Sequence, residues 1–213
     1  MLTAINKYPF FELSEIIPEL NFEYRSYKPL KPVKAGNLIP DFTLHTVYER
    51  WQQFYNGAET HGPVLLRHLL NKPLVISFYS HYWKDKGIEQ LKQLNAIQHE
   101  IKANGGNLLI INAGREDDFQ RKAWEHSLSL NFYYDNNNEL AKNFRVFSDD
   151  DPIWNKFSGI DANAPLLATY VIDTSRQIVY DHIDWNVTGD FQAKDILSAV
   201  YESALHVNRK RSA

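Results

Sequence analysis

Two short apolar runs, Leu74-Val75-Ile76-Ser77-Phe78-Tyr79 and Leu108-Leu109-Ile110-Ile111, bracket a stretch in which Ile88, Leu91, Leu94, Ile97 and Ile101 recur every three or four residues. Each run is short, β-branched or aromatic, and bounded by breakers, so each reads as a buried strand. The spacing between them places five apolar side chains on one face of a helix. Asn104-Gly105-Gly106 then supplies its stop. Strand, helix and strand in this order require parallel pairing through a right-handed crossover, which excludes an all-β core.

The rest of the chain extends this unit. Glu116, Asp117 and Asp118 crowd the first turn of a second helix, where acids favour the dipole. Phe132-Tyr133-Tyr134 follows as a third strand. Thr169–Asp173 and Gln177–Tyr180 flank a turn at Thr174-Ser175-Arg176 and form a hairpin, and Phe191–Leu205 has the pattern of a last amphipathic helix. Ile39–Leu44 alternates like a short strand. Tyr48–Gly62 reads as a loop or irregular helix, and Phe144–Pro165 as a loop insertion whose Asp149-Asp150-Asp151 is solvated. The expected architecture is α/β and thioredoxin-like: a central mixed sheet with helices on both faces and an N-terminal extension. Residues 1–35 form the arm, with a short helix at Glu12–Leu20 cut by Pro18 and a proline-rich extended piece at Lys28–Val33. Residues 36–206 form the domain and residues 207–213 a basic tail.

Composition removes several functions. The chain of 213 residues has no cysteine, so disulfides, thiolate metal sites and cysteine nucleophiles are absent together. A net charge of −3 argues against a nucleic-acid binder driven by phosphate attraction. No stretch approaches the ~20 apolar residues of a membrane span, and Met1–Lys7 does not resemble a signal peptide, so no membrane association and a cytoplasmic location are expected.

Three motifs carry a family resemblance. Gly36-Asn37-Leu38-Ile39-Pro40-Asp41-Phe42-Thr43-Leu44 resembles the opening of peroxiredoxins of the AhpC/TSA group, also called redoxins. Lys72–Tyr79 resembles the strand that leads to their active site, and Thr169-Tyr170-Val171-Ile172-Asp173 resembles a later strand. The resemblance covers about Gly36 to Tyr201. It implies a Trp-Cys-Pro-x-Cys segment after Phe78-Tyr79, and this chain has Trp83-Lys84-Asp85-Lys86-Gly87 there. Trp83 matches, whereas Lys84 and Gly87 stand at the two cysteine positions and Asp85 at the proline. Leu167 occupies a position where the wider fold usually keeps a proline and many peroxiredoxins an arginine. The family's thiolate, its pKa lowered at a helix N-terminus, attacks peroxide and becomes a sulfenic acid. Lysine can do neither, and its charge is wrong for a helix N-terminus, so Lys84 is expected to point to solvent or pair with Asp85.

What remains is a polar cluster at the strand-to-helix turn. His81, Tyr82, Trp83 and Lys84 are the binding candidates, for an anion or carbonyl near outward-pointing amides; Lys86 lies beside them. A solvated, decayed loop is the competing reading, and a Schiff-base role for Lys84 would need burial that neighbouring charges oppose. Asp181-His182-Ile183-Asp184 contains metal-type ligands, but on a strand they face opposite ways. Gly105-Gly106 lacks a dinucleotide-binding context. No metal and no cofactor are expected. The function expected is a peroxiredoxin-like pseudoenzyme of an antioxidant family, acting as a binding or partner protein, with a small molecule, another protein or a second copy of the chain as partner. A non-thiol enzyme or oxidoreductase using the same helix N-terminus is the alternative, and an interaction subunit docking through its arm is a third reading.

Overall fold

In the computed structural model, residues 29–44, 64–113, 116–186 and 191–211 are described. The expected helix at Glu12–Leu20 and the Tyr48–Gly62 stretch lie outside them. β1 (Thr43–Leu44) pairs antiparallel with β2 (Val64–Leu65), and a one-turn helix α1 (Leu66–Leu69) follows directly. The main body runs β3 (Leu74–Tyr79), a 3-10 turn at His81–Trp83, α2 (Lys84–Ala103), β4 (Asn107–Asn112), α3 (Glu116–Glu125) and β5 (Phe132–Tyr134). After α4 (Glu139–Asn143) and a second 3-10 turn at Ile153–Asn155 come β6 (Ala168–Ile172), β7 (Ile178–Ile183) and α5 (Ala193–Arg211). Five strands make one sheet in the order β5-β4-β3-β6-β7. β3, β4 and β5 run parallel, and β6 and β7 add antiparallel partners on the other side of β3.

The near-continuous apolar character of β3 and β4 has its cause in this position. Both faces of the sheet are covered, so both sets of alternating side chains are buried. Ile76, Phe78, Leu109, Ile111 and Tyr170 pack on one face with Leu66 and Phe144. Val75, Tyr79, Leu108, Ile110 and Val171 pack on the other against Leu91, Leu94 and Ile101 of α2 and Ile196 and Val200 of α5. A polar bridge interrupts that second face. The Ser77 and Thr169 hydroxyls lie 2.9 Å apart, and Gln90 Nε2 donates to Ser77 Oγ at 2.7 Å, which fixes α2 against β3 and β6. Gly105, at φ 84, ends α2, with its amide donating to Lys102 O.

Several features depart from the sequence reading, and of Ile39–Leu44, read as a short strand, only Thr43–Leu44 is one. Residues 139–143 form α4, which was not expected; a single short turn has no period to read. Its first amides meet a buried carboxylate: Asp135 Oδ2 accepts from Ala141 N at 2.9 Å. Burial pushes the Asp135 carboxyl above its ordinary value, and the α4 amides oppose part of that shift. The segment 144–165 is a loop, but Phe144, Val146, Phe147, Ile153 and Ala164 belong to the core. Within it Asp151 is fully buried rather than solvated, because its carboxylate accepts from Leu30 N at 2.6 Å and pairs with Lys156 Nζ. Residues 29–35 are therefore docked on the domain, and Lys34 Nζ and Ala35 N both bind the Asp181 carboxylate. The helix α5 continues through Arg209 and Lys210 to Arg211. Among the described residues, no helix is long and apolar enough to cross a membrane.

Candidate functional site

The turn between β3 and α2 is built by local hydrogen bonds and one buried aromatic. Ser80 Oγ accepts from Tyr82 N at 3.4 Å, and Trp83 N donates to Ser80 O, so residues 81–83 form a tight turn at the end of the central strand. Trp83 is only 3% exposed. Its indole Nε1–H donates to Pro165 O at 2.6 Å, and its ring meets Phe157 edge-on at 5.1 Å. A buried indole needs such a partner, and this one ties the turn to the end of the loop that precedes β6.

Lys84 follows with φ 50 and ψ −131, a backbone conformation that side chains rarely adopt. No side chain caps α2, and Asp85 lies in its first turn, where its charge suits the dipole. The Lys84 side chain leaves the helix end, as the charge argument requires. It neither ends in solvent alone nor pairs with Asp85, however, for its ammonium donates to Gly159 O at 3.0 Å. At Gly87, an added Cβ would stand 2.8 Å from Tyr79 Cε2 and 3.1 Å from Trp83 Cβ. The close approach of α2 to β3 at this turn depends on glycine.

Beside Trp83 opens a cleft of about 560 Å³. One wall is the α2 start, with Tyr82, Trp83, Lys84, Asp85 and Lys86. The loop Lys156–Ile160 and, after β7, Trp185 and Asn186 supply the rest of its lining. Trp185 is 39% exposed, and Lys156 Nζ lies 6.0 Å from its ring centroid while it also holds Asp151. Of the four candidates named from sequence, Tyr82, Trp83 and Lys84 line the cleft together. His81 does not; its ring stacks on Tyr82, with centroids 4.0 Å apart. The sequence reading missed Lys156, Phe157 and Trp185. The signal it had was the concentration of aromatic residues in the aperiodic segments after α4 and after β7. Asp181, read as a metal-type ligand, is occupied in holding Lys34 and Ala35.

The AhpC/TSA family model matches residues 35–181. The chain belongs to the AhpC/TSA family. It does so without a single cysteine. Among solved structures it is similar to peroxidoxin BcpB from Mycobacterium tuberculosis, at 18% identity over 79% of this chain and 97% of that one, with a TM-score of 0.58. It is likewise similar to Plasmodium vivax 2-Cys peroxiredoxin in its reduced form, at 15% identity over 84% and 85% of the two chains and a TM-score of 0.59. Xanthomonas campestris peroxiredoxin Q matches at 18% identity over 67% and 86%, with a TM-score of 0.54. These likenesses establish the thioredoxin-like fold expected from the strand and helix order. No curated protein sequence matches the chain.

Proposed function

We propose that this AhpC/TSA-family chain is a binding or partner protein on a redoxin scaffold, with its ligand seated in the cleft beside Trp83. The observation that carries this reading is the cleft itself. Where the resemblance puts the family's thiol, the end of β3 and the start of α2 line an open cleft of about 560 Å³. Small-molecule sites span roughly 300–1,000 Å³. Thiol peroxidase chemistry has no thiol to start from, since the chain contains no cysteine. An enzyme built on Lys84 finds less support: its ammonium is exposed and already donates to Gly159 O, whereas a nucleophilic lysine is desolvated.

Two assays test the proposal together. A thioredoxin-coupled assay of NADPH oxidation with hydrogen peroxide should show no turnover above blank. A thermal-shift screen of metabolites should find compounds that raise the melting temperature of the wild type and not of Trp185→Ala, because a compound bound to the native state stabilises it and one seated in the cleft loses its contact with Trp185 in the variant. Peroxide turnover, or stabilising compounds indifferent to Trp185→Ala, would count against it.

A further inference from the structure

We infer that the cleft takes a planar aromatic ligand bearing one anionic group, a carboxylate or a phosphate. This rests on the reading that the cleft is a binding site, and adds the ligand's class. Two observations point the same way. The first is the distribution of aromatic surface. Tyr82 and Trp185, from separate walls, are 37% and 39% exposed, while Trp83 and Phe157 form an edge-on pair beneath the turn. Exposed rings facing a concave space offer flat surfaces on which a ring stacks, at about 0.5–1.5 kcal/mol per aromatic pair beyond its buried area.

The second observation is the charge. Lys84 and Lys86 stand at the α2 wall and Lys156 on the loop, against Asp85 as the acid lining the space. Asp151 is fully buried, and its carboxylate engages Lys156 and the Leu30 amide. After both acids are counted, the described lining residues keep one net positive charge. Lys84 is fixed by Gly159 O, and the exposed Lys86 on the same turn remains to meet an anion. An ammonium is a point charge that accepts a carboxylate or phosphate oxygen without the fixed fork of arginine. A neutral aromatic leaves this charge unused, and a cationic one is repelled.

The test uses probes that share one naphthyl ring on the full chain, measured by calorimetry: 2-naphthoate, its neutral isostere 2-naphthamide, 2-naphthyl phosphate and 2-naphthylmethylammonium. Naphthoate or naphthyl phosphate should bind about fivefold more tightly than naphthamide, as expected from one exposed lysine worth up to ~1 kcal/mol. Whichever anion binds better identifies the group. That advantage, read as the ratio of anion to naphthamide affinity in the same variant, should shrink at high salt and fall about threefold or more in Lys86→Gln. Trp185→Ala should weaken all probes alike. If naphthamide equals the anions, and Trp185→Ala weakens both, the anion assignment is overturned while the cleft stands as a binding site. Tighter binding of the ammonium probe overturns it too. If no probe binds at millimolar concentration, the assignment and the binding-site reading fall together.

Discussion

Replacing Gly87 by alanine probes why the second cysteine position of the family holds glycine in this chain. The new Cβ would lie 2.8 Å from Tyr79 Cε2, 3.1 Å from Trp83 Cβ and 3.2 Å from Tyr79 Cδ2. Tyr79 and Trp83 are each 3% exposed, so neither ring can swing into solvent to relieve the contact. Overpacking a buried site costs about 1–3 kcal/mol. Gly87 is helical with ordinary φ, so alanine recovers about 1 kcal/mol of helix propensity. The net expectation is a loss of up to about 2 kcal/mol, or a fall in melting temperature of up to roughly 8 °C for a chain of this size. Gly87→Cys, with one more heavy atom, should be worse. Circular-dichroism melts and urea unfolding read both. A double-mutant cycle with Tyr79→Leu should show favourable coupling of about 1 kcal/mol, because removing the ring removes the clash. If Gly87→Ala instead raises stability by its propensity gain, the close approach of α2 to β3 does not exist, and the account of the glycine is wrong.

Two further outcomes follow from single residues. Lys84 holds φ 50, a strain of roughly 1–3 kcal/mol that glycine relieves and alanine does not, so Lys84→Gly should unfold at higher urea than Lys84→Ala although both lose the bond to Gly159. Equal stability of the two variants would remove the strain from the account. The Asp135 carboxyl titrates above its ordinary 3.8, so the folded state holds the proton more tightly than the unfolded chain. Its contribution is fully present below that value and is lost as pH rises through the raised one. Measured against Asp135→Asn, the wild type should therefore gain relative stability as pH falls toward 4, and a flat difference across that window would contradict the shift.

The fold was legible wherever a segment was long enough to have a period and was bounded by breakers. Leu74–Tyr79 and Phe132–Tyr134 are strands at the residues read from sequence, and Ile88–Ile101 lies in α2, whose stop is Asn104-Gly105-Gly106. β2 and α4 fell below that limit with two and five residues. Asp151 shows a different limit. Three consecutive acids look alike in sequence, and what singles out one of them is a backbone amide 121 residues away, at Leu30. The cleft was half legible for the same reason. Tyr82, Trp83 and Lys84 are neighbours at a strand-to-helix turn that the resemblance marks as the family's site. Lys156, Phe157 and Trp185 reach it only through the path of an aperiodic loop and the end of β7, which no local pattern encodes.

The chain has five tryptophans, and Trp83 and Trp185 line the cleft whereas Trp124 stands 88% exposed outside it. Incorporating 5-fluorotryptophan therefore gives fluorine resonances that report where a compound binds. Assigned by single Trp→Phe variants and titrated with the hits of the thermal-shift screen, the Trp83 and Trp185 signals should move together and saturate with one affinity, while the Trp124 signal stays in place. Hits that move Trp124 alone, or that leave Trp83 and Trp185 unshifted at saturation, would contradict the claim that this cysteine-free member of the family binds its ligand where its relatives' chemistry would stand.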